Sequence, residues 1–446
     1  MNRTQAEFNR ELMTFLAESP TPFHAVANAL KALQAAGYEL LDEGALWNLS
    51  PEGRYVVLRN GSALVAFTGA VLNTVKDLQN DAVHSQGVRL FGAHSDSPCL
   101  RVKPNPALLR KGFFQLGVEI YGGVLLSPWF DRDLSLAGRV VFEDTDGAVN
   151  SRLVDWKRPV ALIPSLAIHL DREVNNSRSI NPQKELPPIL FQTANTKAGE
   201  FRDIVQTELK QTYPDLSVAR VLDYELSFYD CQPPALVGLH EDLITSARLD
   251  NLLSCFIGLR ALLDVEYHYP CLLVLNDHEE VGSNSAEGAS GSLVQSVLNR
   301  VFGSDEQTYA RVLSRSMLIS ADNAHGVHPN YMERHDESHG PLLNAGPVIK
   351  VNANQRYATN ALTSGFYRSL SDRLGLPYQV FVTRADMACG STIGPLTATR
   401  LGVKTLDIGV PQFAMHSIRE SCGSRDPHIL YQVTRAFFDT AMLPIN

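Results

Sequence analysis

Two adjacent glutamates, Glu279 and Glu280, follow a short apolar segment, residues 271–275, whose pattern is typical of a strand buried on both faces. A buried carboxylate is costly unless it is paired or binds a metal, and ligands bind at the carboxyl ends of strands in open α/β sheets. Neighbouring residues on an extended chain point to opposite sides. We therefore expect one glutamate to hold a metal ion while the other acts on water beside it. A solvated acidic turn is the alternative for this stretch taken alone.

Four further positions carry side chains that commonly bind metals: His94, Asp250, Asp322 and His416. Taken singly, each has an ordinary explanation as a satisfied buried polar residue, a helix cap or a turn cap. Counting the glutamate pair as one group, four of the five groups directly follow apolar segments of one predicted sheet. The fold should therefore bring their ends to one rim of that sheet.

Imidazole and carboxylate are the ligands that catalytic zinc takes in open sites. Two ions about 3.5–4 Å apart require a carboxylate between them and further ligands on each side. We expect Asp250 to be the shared ligand. His94 and Asp322 are then the ligands of one ion, and Glu280 and His416 are the ligands of the other.

Glu279 is left without a metal in this scheme, in the position of a general base that takes a proton from water. Asp96, two residues after His94, is placed to accept a hydrogen bond from the His94 imidazole and so to orient it. The sequence contains no Gly-x-Ser-x-Gly elbow, no His-Glu-x-x-His helix and no phosphate-binding Gly-Lys-Ser/Thr loop. Water activated by metal is therefore favoured over a serine or cysteine nucleophile.

The elements that must position these residues form a regular pattern after residue 240. Strands predicted at residues 271–277, 317–320, 378–383 and 404–408 alternate with helices at 250–265, 292–302, 360–374, 393–401 and 427–442. The N-terminal part adds a hairpin of residues 54–59 and 63–68 and a strand at 88–93. This alternation predicts an α/β fold with a mostly parallel sheet flanked by helices.

Residues 103–234 lack this alternation, and their period-2 segments predict a β-rich domain inserted into the α/β domain. The prediction is a discontinuous catalytic domain, residues 1–102 and 235–446, around an insert at residues 103–234.

The composition excludes several classes of function. The 446-residue chain has a net charge of −9 and no Lys/Arg-rich run, so we expect no nucleic-acid partner. No apolar run reaches the ~18 residues of a membrane span. The six cysteines are scattered without a Cys-x-x-Cys pair, which is typical of reduced thiols and predicts a cytoplasmic protein.

Seven stretches carry a resemblance that covers most of the chain: residues 93–98 (Ala-His-Ser-Asp-Ser-Pro), 246–251 (Ser-Ala-Arg-Leu-Asp-Asn), 277–283 (Asp-His-Glu-Glu-Val-Gly-Ser), 320–331, 346–352, 389–395 and 415–420. In these stretches and in their order, the chain closely resembles the aspartyl aminopeptidase family of dinuclear zinc aminopeptidases. The resemblance implies peptide substrates and the same roles for the residues above. The implied zinc ligands are His94, Asp250, Glu280, Asp322 and His416, with Glu279 as the base.

The resemblance also implies an assembly and two substrate-binding residues. Inserts of this family build dimers, and the dimers form a tetrahedral dodecamer with inward-facing active sites. The position that matches the family's histidine donated to a neighbouring subunit is His169. Lys350 is the candidate electropositive group for an acidic N-terminal residue, and a strand lysine in a solvent-exposed ion pair is the alternative explanation for it.

Three other functions remain open at this stage. A deacylase or carboxypeptidase on the same dinuclear scaffold would share the metal ligands but would need a basic group for a substrate carboxylate. An aminopeptidase could instead prefer a neutral residue. A non-catalytic scaffold that retains metal is disfavoured because every expected ligand and the base are present. Manganese or cobalt could substitute for zinc.

Overall fold

In the computed structural model, the described residues are 3–79, 87–194, 199–303 and 305–444. Contacts divide the chain into two compact units. The first unit comprises the residues up to Asp96, Pro234–Met415 and the residues from Glu420 onward, and the second comprises Ser97–Pro233 with His416–Arg419.

The N-terminal part of the first unit contains the hairpin that Asn60-Gly61 predicts. Asn60 and Gly61 have φ values of 52° and 71°, the left-handed backbone that tight hairpin turns require. The hairpin is therefore confirmed. The elements of this part are α1 (Gln5–Ala17), α2 (Pro22–Ala35), β1 (Glu39–Leu41), β2 (Arg54–Arg59), β3 (Ala63–Thr68), α3 (Val71–Gln79) and β4 (Arg89–His94).

The second unit is built on an antiparallel sheet of six strands, in the order β8-β7-β10-β5-β6-β9. Its elements are β5 (Cys99–Arg110), β6 (Phe113–Tyr121), a 3-10 helix (Ser127–Trp129), β7 (Leu134–Glu143), β8 (Val149–Asp155), α4 (Pro182–Glu185), β9 (Ile189–Gln192), α5 (Phe201–Thr212) and β10 (Arg220–Asp230). The unit begins earlier than the predicted insert because residue 103 falls inside β5. It also includes His416–Arg419, a return of the chain that no local pattern indicates.

From Pro234 the described chain alternates between strands and helices, as the sequence predicts. The elements are β11 (Ala235–Val237), β12 (Leu243–Ser246), α6 (Leu249–Leu263), β13 (Cys271–Asn276), a 3-10 helix (Glu279–Val281), α7 (Leu293–Phe302), α8 (Glu306–Ser314), β14 (Met317–Ala321), β15 (Ala324–His325), a 3-10 helix (Met332–Arg334), β16 (Val348–Val351), α9 (Ala361–Leu374), β17 (Gln379–Val382), α10 (Ile393–Leu401), β18 (Lys404–Gly409), β19 (Pro411–Phe413), β20 (Glu420–Gly423) and α11 (Asp426–Phe438).

Nine strands of the first unit form the main sheet, in the order β1-β2-β3-β13-β4-β14-β18-β16-β17. The four central strands, β13, β4, β14 and β18, are all parallel to their neighbours within that group. Antiparallel pairs join β2 to β3, β3 to β13 and β16 to β18. The α/β class is confirmed, and the sheet is mixed towards its edges.

Both faces of the main sheet are covered. In β13, Leu273 and Leu275 pack into one apolar cluster with residues of α6, while Leu272 and Val274 pack into another with Leu293 of α7. This is the two-sided burial that a continuous apolar strand predicts.

A second, five-stranded sheet of the first unit has the order β11-β12-β20-β19-β15. Its strands contain two to four residues each, too short for a periodic signal in the sequence. Within the described ranges, the structure contains no helix that is long and apolar enough to cross a membrane.

Candidate metal centre

The central strands of the main sheet end together on one rim. His94, the last residue of β4, is in register with Asn276 at the end of β13. On its other side, β4 pairs in parallel with β14, where Gly92 is opposite Ser320. Asp322 follows β14 by one residue and so reaches the level of His94. Register therefore places these residues on the rim where ligands bind in α/β sheets.

The His94 imidazole is surrounded by carboxylates that follow β13 and β14 and by that of Asp250, which lies in α6 after β12 of the five-stranded sheet. Its Nε2 atom is 3.4 Å from Asp250 Oδ1, 3.8 Å from Asp322 Oδ1 and 3.9 Å from Glu279 Oε2. His94, Asp250 and Asp322 form one group whose ligand atoms all lie within 4.8 Å of one another, and His94, Glu279 and Glu280 form a second such group. An imidazole nitrogen surrounded by carboxylate oxygens is the donor set of a catalytic zinc site.

Asp96 connects the histidine to both glutamates. Its Oδ1 atom is 3.2 Å from His94 Nδ1. The same carboxylate accepts the backbone N–H of Glu279 on Oδ1 and that of Glu280 on Oδ2, each at 3.1 Å. Asp96 is fully buried. One carboxylate therefore fixes the imidazole and the backbone of both glutamates.

The backbone of Glu279 and Glu280 is a 3-10 helix, bounded by His278 and Gly282 with φ values of 62° and 96°. The expectation that both glutamates lie on an extended chain is therefore wrong. The alternation of an extended strand does not set the directions of the two side chains, because the chain has already turned after Asn276. Their directions follow from the tight turn and its attachment to Asp96.

Asp322 is held from two sides. Its backbone N–H donates to Ile408 O at 2.9 Å, and a Cβ atom on Gly409 would lie 1.9 Å from Asp322 O, so only glycine permits this approach of β18. Lys350 Nζ lies 3.4 Å from Asp322 Oδ2. Because Lys350 is only 3% exposed, the alternative of a solvent-exposed ion pair is wrong. The Lys350 ammonium therefore lies at the edge of the cluster of carboxylate side chains around His94.

The centre carries an excess of acidic groups. Burial raises the pKa of Glu279 to about 7, His94 opposes this shift, and Asp322 and Asp250 add to it. Burial also raises the pKa of Glu280 well above its usual value. Burial lowers the pKa of His94, but the surrounding carboxylates outweigh it and raise that pKa well above its usual value. A divalent cation would relieve the repulsion that these shifts express.

Two predicted histidines belong to the second unit. His416 Nδ1 is 3.1 Å from Gly123 O. His169 is exposed, in a turn closed by a hydrogen bond from Leu170 N to Ala167 O of 2.8 Å. The structure of the first unit thus brings together the other predicted residues: His94, Asp96, Asp250, Glu279, Glu280, Asp322 and Lys350.

Sequence reasoning missed the buried polar residues around Asp250. Glu420 Oε2 accepts the Asp250 N–H at 2.9 Å, and Asn323 and Asn251 donate to backbone carbonyls beside the two aspartates. The sequence offers only one indication of their role: each of these residues lies in a stretch that also contains a predicted metal ligand.

The helix-covered mixed sheet and the imidazole and carboxylate donors at its rim define an α/β protein with a site of metallohydrolase type. The family model described as "Aminopeptidase I zinc metalloprotease (M18)" matches residues 15–438. The chain belongs to the M18 family of aminopeptidases, and the resemblance seen in the sequence is confirmed.

Relatives and solved structures agree with this assignment. An M18 family aminopeptidase of Pseudomonas fluorescens (strain Pf0-1) is 56% identical over 438 residues, which are 98% of this chain and 99% of that protein. The cryo-EM structure of the Ape4 and Nbr1 complex contains a chain with a TM-score of 0.90 and 36% identity, over 97% of this chain and 86% of that one. The structure of the S. cerevisiae mApe1 dodecamer matches with a TM-score of 0.80 and 26% identity, over 97% and 96% of the two chains.

Proposed function

We propose that this chain is a two-zinc aminopeptidase that removes N-terminal residues, acidic ones by preference, from peptides. The observation that carries the proposal is the convergence of His94, Asp250 and Asp322 with the glutamate pair on one rim of the main sheet. Membership of the M18 family supplies the reaction class.

Asp250 is the proposed ligand of both zinc ions. His94 and Asp322 are the proposed further ligands of one ion. Glu280 and His416 are the proposed further ligands of the other. The support for His416 is its match to the family stretch at residues 415–420. Manganese or cobalt are possible substitutes for zinc. When bound, the ions supply Lewis acidity for the scissile carbonyl and lower the pKa of water.

Glu279 is the proposed general base. Its carboxylate takes a proton from the attacking water and passes it to the nitrogen of the leaving amine, so the two proton transfers use one group. Asp96 keeps the His94 ring in one orientation and anchors the backbone N–H of Glu279. The base therefore starts from a fixed position.

The proposed acidic preference rests on Lys350. The Lys350 ammonium lies beside Asp322, at the edge of the cluster of carboxylate side chains. There it can pair with an acidic side chain of the substrate. His169 is proposed to reach the active site of a neighbouring subunit, as its match to the family's shared histidine implies. Its exposure is compatible with such donation.

We further propose a homo-oligomer in which the second unit builds dimers and the dimers form a tetrahedral dodecamer. The support is twofold. Leu166 and Leu170, on either side of His169, are 60% and 74% exposed, and exposed apolar clusters mark interaction surfaces. A related structure, of S. cerevisiae mApe1, is a dodecamer. The proposed compartment is the cytoplasm, as the six free cysteines indicate.

The test of substrate class is a panel of initial rates with zinc, manganese and cobalt. Aspartyl, glutamyl and leucyl chromogenic amides are compared with an N-acyl amino acid. An aminopeptidase cleaves the amides and leaves the N-acyl compound intact, whereas a deacylase or carboxypeptidase does the reverse. A leucyl amide cleaved faster than both acidic amides would refute the acidic preference alone.

The contribution of Lys350 is measured on the same panel. Lys350→Gln should lower kcat/KM for the aspartyl amide more than for the leucyl amide, because only the first substrate carries the matching charge. An equal fall on both amides would assign Lys350 to the support of Asp322 instead.

A further inference from the structure

The segment that carries Asp250 is not fixed by helical hydrogen bonding. Asp250 and Asn251 lie within the first turn of α6 but have non-helical backbone angles, with φ/ψ of −82°/105° and −126°/23°. Arg248, just before the helix, has a φ of 59°. The first N–H groups of any helix lack partners within that helix. The position of Asp250 therefore depends on groups outside α6.

Two buried asparagines tie this segment to the end of β14. Asn323 Nδ2 donates to Leu249 O at 2.9 Å, and Asn251 Nδ2 donates to Ala321 O at 2.8 Å. Ala321 and Asn323 are the two neighbours of Asp322. The segments that carry the two aspartates are thus joined on either side of Asp322.

Glu420 provides a further attachment. Its Oε2 atom accepts the backbone N–H of Asp250 at 2.9 Å. Glu420 is the first residue of β20 and is paired with Ser246, the last residue of β12, four positions before Asp250. The residue is 1% exposed. A carboxylate is costly to bury unless it is paired, and this carboxylate accepts the N–H of a proposed metal ligand.

We infer that Glu420 is a positioning residue of the metal centre: by accepting the Asp250 N–H, it holds the carboxylate that both zinc ions share in the orientation for binding. The inference rests on the metal centre proposed above. Glu420 acts through Asp250 and is not itself assigned to metal or substrate. Residues that orient metal ligands typically change metal affinity or activity by about 10–100-fold when replaced.

The experiment separates the reach of the acceptor from its charge. Glu420→Asp keeps the charge but withdraws the acceptor by one C–C bond, whereas Glu420→Gln keeps an acceptor oxygen at full reach and loses the charge. Zinc affinity of the full chain is measured without substrate, by competition with a chromophoric chelator. We expect Glu420→Asp to weaken zinc binding about tenfold or more, and Glu420→Gln to stay within a factor of about three of the unmodified chain.

Asp426→Asn is the matched control, because Asp426 is also buried and accepts two backbone N–H groups, those of Asn344 and Gly346. It should lower the melting temperature without weakening zinc binding. Equal losses of zinc affinity in both Glu420 variants, no loss in either, or a loss in Glu420→Gln alone would each overturn the positioning role. If the unmodified chain binds no zinc, the proposed metal centre fails instead, and the two failures are distinguishable.

Discussion

Replacing Asp96 by asparagine tests the most connected residue of the centre. The Asp96 carboxylate is fully buried and serves three groups: His94 Nδ1 at 3.2 Å and the N–H groups of Glu279 and Glu280 at 3.1 Å each. Asparagine keeps the shape of the side chain but has one acceptor oxygen. In Asp96, one carboxylate oxygen accepts the Glu279 N–H and the other accepts the Glu280 N–H. In the asparagine variant, the amide nitrogen takes the place of one of these oxygens and cannot accept a hydrogen bond.

The expected loss of zinc affinity follows from the one hydrogen bond that asparagine cannot make. A hydrogen bond to a charged group contributes about 1.5–3 kcal/mol. The loss of one such bond, at about 2 kcal/mol, corresponds to about a 30-fold change in an equilibrium constant. Because the bond lost orients Glu280, a proposed metal ligand, we expect Asp96→Asn to weaken zinc binding by about 30-fold. This value lies within the range typical of residues that orient metal ligands.

The assay is a zinc titration of the metal-free variant against a chelator of known affinity, with Asp426→Asn as the control for a buried carboxylate that holds backbone N–H groups elsewhere. The melting temperature of both metal-free variants is recorded. Unchanged zinc affinity in Asp96→Asn, or an equal loss in Asp426→Asn, would refute the argument that Asp96 organises the centre.

Three further predictions follow from the same geometry. Glu279→Gln should lower kcat by at least about 10²-fold with little change in KM or zinc content, whereas Glu280→Gln should lose zinc first; the reverse pattern would exchange their roles. Hybrids reassembled from inactive Glu279→Gln and inactive His169→Phe chains should regain part of the activity if His169 acts on a neighbouring subunit; native mass spectrometry verifies the hybrids, and hybrids without activity would argue against it. Zinc affinity should rise with pH through the neutral range, because burial raises the pKa of the proposed ligand Glu280, and the surrounding carboxylates, against burial, raise that of the proposed ligand His94, so zinc must displace their protons, by about tenfold per pH unit for each proton released; a flat profile would show that these protons do not compete.

Strand periodicity and turn chemistry predicted the parts of the fold that local physics determines. The Asn60-Gly61 hairpin and the apolar strands that end at His94 and Asn276 lie where the sequence placed them. The reason is that each signal is contained within a few residues: a turn that needs positive φ, or a run buried on both faces. Parallel pairing then aligns the ends of β4, β13 and β14, whereas Asp250 arrives from α6 after a strand of the other sheet.

Long-range features were not predictable in the same way. The five-stranded sheet pairs residues near 244 with residues near 422, and its strands are too short to carry a period. The 3-10 helix of Glu279 and Glu280 depends on Asp96, more than 180 positions earlier in the chain. Glu420 shows no sign of its contact with Asp250 until β20 is placed beside β12.

The central claim, a two-zinc aminopeptidase, is tested most directly by returning zinc to the metal-free chain while binding and hydrolysis of an aspartyl amide are measured on the same sample. The account predicts saturation at two zinc ions per chain, with activity absent in the metal-free protein and complete only when both are bound. Two results would contradict this account. One is full activity without bound metal, verified by elemental analysis, and the other is full activity in a chain that saturates at one zinc ion.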